Sequence, residues 1–99
     1  MAYAITSTPE ASLDLSDLTK RDDAFVRNSV GRYLTVEPLL PSHKRKELGP
    51  NPLSARWELR LGELRVYYDV DATVRRVLRV GRKLRERVYL RGVMTDLRG

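Results

Sequence analysis

The sequence has no cysteine and a single histidine, His43. A disulfide framework, a thiolate zinc site and a cysteine nucleophile are therefore excluded, as is a metal site of clustered histidines. No stretch approaches the roughly 20 apolar residues of a membrane-spanning helix. The opening Met1-Ala2-Tyr3-Ala4-Ile5-Thr6 has neither the basic start nor the long apolar run of a signal peptide, so a cytoplasmic protein with no membrane partner is expected. No repeat, low-complexity tract or long linker is present. The 99 residues have room for one domain, 1–99, with 92–99 read as a weakly patterned tail.

Acidic residues are scarce in the last part of the chain. Positions 72–99 carry two of them against nine basic ones. Over the whole chain 19 Lys and Arg face 13 Asp and Glu, a net charge of +6. The first forty residues hold four basic and six acidic groups, so the excess belongs to residues 41–99. Such asymmetry predicts a polyanion or an acidic protein as partner. The alternative is a charged surface that merely keeps a small domain in solution. Arginine supplies fifteen of the positive charges, and arginine both grips phosphate with paired hydrogen bonds and stacks on bases.

Tyr3-Ala4-Ile5-Thr6 reads as a short strand. Thr8-Pro9-Glu10 then reads as a helix start, with a capping hydroxyl, proline at the first helical position and an acid at the positive end of the dipole. Ala11, Leu15 and Leu18 share one helical face, and Thr19-Lys20-Arg21 ends the segment. Asp22-Asp23 opens a second helix with Val26, Val30, Tyr33 and Leu34 on one side. Glu37-Pro38 stops it. Residues 38–54, with Pro38, Pro41, Gly49, Pro50 and Pro52, read as a loop around His43-Lys44-Arg45-Lys46-Glu47. His43 reads as solvated, with phosphate binding as its functional alternative.

From Ala55 the apolar period becomes two. Trp57, Leu59 and Leu61 alternate with Arg56, Glu58 and Arg60, and Gly62-Glu63 makes a turn. Val66, Tyr68 and Val70 alternate with Arg65, Tyr67 and Asp69, and Asp71-Ala72 makes another turn. The third strand, Val74 to Val80, has apolar groups on both parities, which suits a strand buried on each face. Residues 84–91 read as one more short strand or turn ending at Tyr89. The expected fold is α+β: an N-terminal strand, a helical hairpin, then an antiparallel β-meander with the helices packed on one face. The alternation puts Trp57 in the core and sends Arg56, Glu58, Arg60, Arg65 and Tyr67 to an open second face. Arg79, Arg82, Lys83, Arg85 and Arg87 extend its charge.

The run Leu59-Arg60-Leu61-Gly62-Glu63-Leu64-Arg65-Val66-Tyr67-Tyr68-Asp69-Val70-Asp71, then Val77-Leu78-Arg79-Val80-Gly81-Arg82-Lys83 and Val88-Tyr89, resembles the RelE branch of the RelE/ParE toxin superfamily. The resemblance spans about residues 2–91. It implies the toxin of a type II toxin–antitoxin pair that cleaves mRNA in the ribosomal A site without metal or other cofactor, by attack of the RNA 2′-hydroxyl on the adjacent phosphate. The partners it implies are the ribosome and mRNA, an antitoxin with acidic and amphipathic segments, and operator DNA bound by the toxin–antitoxin complex. It matches Arg65 to an arginine on the scissile phosphate and Tyr89 to a late tyrosine that stacks on, or accepts a proton near, the attacked nucleotide. Lys83 stands where RelE has a proton-donating arginine, with Arg82 or Arg85 as alternatives. Arg56 and Glu58 replace two lysines. The superfamily also contains gyrase-poisoning ParE-like toxins, and a degenerate toxin serving as an antitoxin-bound corepressor is a third reading.

Cleavage by an internal hydroxyl needs a proton acceptor, a proton donor and positive groups around the developing phosphorane. Glu58 and Tyr89 are candidate acceptors, Lys83 a candidate donor, and Arg56, Arg60 and Arg65 candidate charge stabilisers. Lys44, Arg45, Lys46, Arg60, Arg79, Arg82 and Arg85 are candidate RNA contacts. Structural alternatives stand beside these roles: Glu58 as a cross-strand partner of Arg56 or Arg60, Tyr89 as a packing residue, and Lys44-Arg45-Lys46 as a solvated charge run.

Overall fold

Thr8 ends one strand and begins one helix. In the computed structural model, which describes residues 4–34 and 44–97, strand β1 (Ala4–Ser7) leads directly into helix α1 (Pro9–Ser16). The Thr8 hydroxyl accepts from Ala11 N (3.1 Å) and donates to Leu78 O (2.6 Å), so the cap also fastens the helix to the sheet. Helix α2 (Lys20–Tyr33) follows, capped by Thr19, whose hydroxyl accepts from Asp22 N at 3.1 Å. Thr19 thus starts the second helix rather than ending the first, and Asp22 and Asp23 sit in its first turn. Tyr3, the Glu37-Pro38 stop and His43 lie outside the described residues.

Among the described residues, seven strands form one sheet. They are β1, β2 (Arg45–Glu47), β3 (Trp57–Leu61), β4 (Leu64–Asp71), β5 (Val74–Leu84), β6 (Arg87–Leu90) and β7 (Val93–Thr95). The meander β2-β3-β4-β5-β6-β7 is antiparallel, and β1 adds in parallel to the first half of β5. The expected α+β architecture is the one observed. Two strands were not expected: β2 lies inside the segment read as a loop, and β7 inside the segment read as a tail.

The mixed parity of the third strand has a specific cause. Tyr67 pairs with Arg79 but Tyr68 pairs with Val77, so Leu78 is an extra residue, a β-bulge. The bulge lets both Val77 and Val80 face the helices while Leu78 joins the opposite side. The main core lies between the helices and the sheet. Ala11, Leu15, Val26, Val30 and Leu34 pack there on Trp57, Leu59, Val66 and Tyr68.

The second face is not open, contrary to the simple alternation reading. Ala55, Tyr67, Val88 and Leu90 form a second buried cluster, covered by Leu48, Leu53, Leu78 and Leu97. Asn51 organises the proline-rich segment that supplies part of this cover: its side chain accepts from Leu53 N and Ala55 N and donates to Gly49 O and Ala55 O. Gly81 allows the closest approach. A β-carbon there would stand 2.6 Å from Leu90 Cδ2 and 2.7 Å from Tyr89 O.

The turn between β4 and β5 is Ala72-Thr73, one residue later than expected, and Ala72 has φ +50°. That left-handed conformation costs an L-residue about 1–2 kcal/mol, which glycine avoids. Ala72→Gly is accordingly expected to raise stability by about 1 kcal/mol, seen as a higher urea midpoint with unchanged slope. A lower midpoint would refute this account of the turn.

Candidate functional site

Cross-strand pairing assembles the polar part of the second face. Lys46 pairs with Glu58, Glu58 with Tyr67, and Arg60 with Arg65. Two arginines directly opposite each other repel, and Glu58 offsets that repulsion. Its Oε1 accepts from Arg60 Nε at 3.1 Å and lies 4.0 Å from Arg65 Nε. The Glu58 side chain is 6% exposed. Tyr67 is fully buried beside it, and burial first, then the Glu58 charge, pushes its phenol far above the usual tyrosine range.

Glu58 nevertheless reaches a groove. The groove has a volume of about 550 Å³ and is lined by Lys46, Glu58, Lys83 and Arg87, with Leu48 and Leu97 as apolar wall. Glu86 and Asp96 also line it. Lys46, Lys83 and Arg87 come from β2, β5 and β6, and among the described residues none of the three makes an ion pair. A desolvated carboxylate thus shares one concavity with two amines and a guanidinium. The carboxylate can accept a proton, the amines can donate one, and all three cations can face a phosphate.

The other expected site residues are elsewhere or already engaged. Arg65 is 14% exposed, and its Nη1 donates to the carbonyls of Gly62 (2.5 Å) and Leu64 (2.9 Å), tying down the β3–β4 turn. Arg56 is exposed, 3.8 Å from Glu47. Tyr89 pairs with Arg82 while its neighbour Val88 pairs with Lys83, so Tyr89 occupies the helix-facing side. There it lines a separate depression with Asp17, Leu18, Leu84 and Arg91. Arg82 bridges Asp22 (3.0 Å) and Glu63 (2.9 Å). Arg79 holds Asp14 through two bonds of 2.7 and 3.0 Å. Lys44 stands over the Tyr33 ring at 5.6 Å, and Arg45 donates to Tyr33 O at 3.0 Å. Arg85 lies exposed in the β5–β6 turn at φ +50°.

The structure therefore brings together Glu58, Lys83 and Lys46, keeps Arg60 and Arg65 as the supports of Glu58, and separates Tyr89 from them. It adds Arg87, which the sequence showed only as one member of a charge run. Among the described residues no group of three or more His, Cys, Asp or Glu side chains could hold a metal ion, and no helix is long and apolar enough to cross a membrane.

No protein-family model matches the chain, and no curated protein matches it. Solved structures do. A chain of the toxin–antitoxin complex RelBE2 from Mycobacterium tuberculosis aligns with a TM-score of 0.70 and 29% identity over 84% of this chain and 100% of that one. A chain of the archaeal RelE–RelB complex from Pyrococcus horikoshii aligns with a TM-score of 0.67 and 23% identity over 86% and 99%. The architecture is thus that of the RelE-like toxins. The chain is RelE-like in fold, as the order of its strand motifs implied.

Proposed function

We propose that the chain is the toxin of a toxin–antitoxin pair, and that it cleaves mRNA on the ribosome in the groove beside Glu58. The carrying observation is the groove itself: on a RelE-like fold, one nearly buried carboxylate opens into a concavity with three cations that form no ion pair among the described residues. In this reading Glu58 takes the proton of a ribose 2′-hydroxyl. That oxygen attacks the adjacent phosphorus, and the bond to the 5′-oxygen of the next nucleotide breaks. Lys83 or Lys46 gives a proton to the departing oxygen, leaving a 2′,3′-cyclic phosphate and a 5′-hydroxyl. Arg87 and the remaining amine meet the phosphorane charge. The solved neighbours are toxin–antitoxin complexes, which supports an antitoxin as partner. Its acidic segments would complement the same cations.

The test is cleavage of mRNA on programmed ribosomes with vacant A sites, mapped by primer extension. Wild-type protein should cut. Glu58→Gln should lower the rate by about 100-fold or more, the usual contribution of a positioned proton acceptor. Tyr89→Phe should change it by less than about threefold, because the Tyr89 ring lies on the opposite side of the sheet. Uncut RNA with folded protein, or inhibited gyrase supercoiling with intact RNA, would overturn the reading. A strong Tyr89 effect with an unaffected Glu58 variant would move the site to the helix-facing side.

A further inference from the structure

We infer that Tyr67 is a positioning residue for Glu58, its buried hydroxyl holding the carboxylate toward the groove from the neighbouring strand. The inference rests on reading the groove as the cleavage site. Tyr67 stands directly opposite Glu58 in the β3–β4 ladder. Its ring packs in the second cluster with Ala55, Val88 and Leu90, whose side chains offer no acceptor. Among the described residues its hydroxyl has no hydrogen-bond partner in this geometry, although it is buried. Leaving a buried hydroxyl unpaired is costly, so a small side-chain adjustment toward a nearby acceptor is strongly favoured.

Glu58 supplies that acceptor. Arg60 Nε donates to Oε1 at 3.1 Å, and Arg65 Nε faces that same oxygen at 4.0 Å, a charge contact beyond hydrogen-bond distance. An ionised carboxylate has about four lone-pair sites, so Oε2 can take the Tyr67 hydroxyl and still accept a proton from a substrate. Tyr67 remains protonated because burial and the adjacent carboxylate both oppose its ionisation. It is a permanent donor, never a competing proton acceptor. With Arg60 bonded to one oxygen and Tyr67 to the other, the carboxylate has a single orientation before substrate arrives, which is what positional catalysis requires.

Tyr67→Phe removes only the hydroxyl. On programmed ribosomes its kcat should fall about tenfold or more while KM stays within about twofold, the loss expected of a hydrogen bond to a charged group. Its melting temperature should fall, since the nearly buried carboxylate loses a hydrogen bond and Oε2 is left without its donor; an unchanged or raised melting temperature would overturn the inference. Unchanged kcat, or a raised KM with unchanged kcat, would overturn the inference. A second measurement does not depend on cleavage. The Tyr67 hydroxyl proton should appear as a slowly exchanging resonance in the full-length protein and shift in Glu58→Gln. A hydroxyl proton unaffected by Glu58→Gln, or none detected, would also overturn it. If wild-type protein fails to cut RNA, the cleavage reading falls, and this resonance still decides whether Tyr67 holds Glu58.

Discussion

Asp14→Ala is expected to destabilise the fold by about 3 kcal/mol, a large share of the roughly 5–15 kcal/mol that holds a domain of this size together. The reason lies along the side of β5 away from β4. That side is covered by β1 up to Val77 and by β6 from Arg82, and the bulge at Leu78 falls in the gap. Helix α1 fills the gap. Thr8 N donates to Val77 O at 3.0 Å, the Thr8 hydroxyl donates to Leu78 O, and Asp14 Oδ2 accepts from Val80 N at 2.9 Å. The same carboxylate, with 0% side-chain exposure, takes both bonds from Arg79 and pairs with Arg91 at 3.1 Å. Removing it strands the buried Val80 N–H and leaves a cavity under α1. Breaking a fully buried ion pair costs about 3–5 kcal/mol. The lower end applies because Arg79 and Arg91 keep 20% and 38% side-chain exposure and can rehydrate. Urea unfolding followed by circular dichroism measures the difference. A loss below about 1 kcal/mol would show that the cluster is incidental. Arg91→Ala, which removes one half-exposed partner, should cost no more than about 1 kcal/mol.

The same cluster shows where sequence reading stops. The helix starts at Thr8-Pro9, the apolar faces of both helices, and the alternation of β3 and β4 were legible because each depends on near neighbours in sequence. Asp14 was not. It sits one position before Leu15 and reads as a solvent-side acid, but the bulge at Leu78 turns Arg79 and Val80 N toward it. A bulge leaves no local mark except the mixed parity of Val77, Leu78 and Val80. Strands β2 and β7 are three residues each, too short for a period, and β2 is made of Arg45, Lys46 and Glu47.

The candidate site was half legible for a related reason. Composition counts cations; it does not say which are engaged. Arg65, Arg79, Arg82 and Arg91 all bind carboxylates or carbonyls of the chain itself. Lys46, Lys83 and Arg87 are the groove cations left without an ion pair among the described residues. Parity along β3 and β4 placed Glu58, Arg60, Arg65 and Tyr67 on one face correctly. It did not reach Tyr89, whose site role came from the family resemblance: the two-residue turn Arg85-Glu86 sets the β6 register, and a slip of one residue exchanges the faces. It also left the second face bare, since the cover comes from Leu48, Leu53 and Leu97, outside the long strands.

Two adjacent buried tyrosines give the fold a steep alkaline limit. Tyr67 and Tyr68 point to opposite sides of β4, one into each core, and both are fully buried. Burial pushes Tyr68 up to about 12, with Arg45 opposing. Burial and the Glu58 charge push Tyr67 further still. In the unfolded chain both ionise near the ordinary tyrosine value of about 10. The sign comes from proton counting: above about pH 10 the unfolded state holds fewer protons than the native state, so stability falls as pH rises. Below that pH the two states hold the same tyrosine protons and no loss occurs. Each tyrosine contributes a slope of about 1.4 kcal/mol per pH unit. Together they remove about 4 kcal/mol between pH 10 and pH 12, which brings a domain at the lower end of the usual 5–15 kcal/mol close to unfolding. The chain has five tyrosines, so the signal of these two is the part of the tyrosinate absorbance missing from the double Phe variant, and it should change together with circular dichroism in one cooperative step within that window. Tyr68→Phe should roughly halve the slope of stability against pH, and the double Phe variant should nearly abolish it. If the part of the absorbance that the double Phe variant lacks instead rises smoothly from pH 9 while the fold persists, the two hydroxyls are accessible and the burial account is wrong.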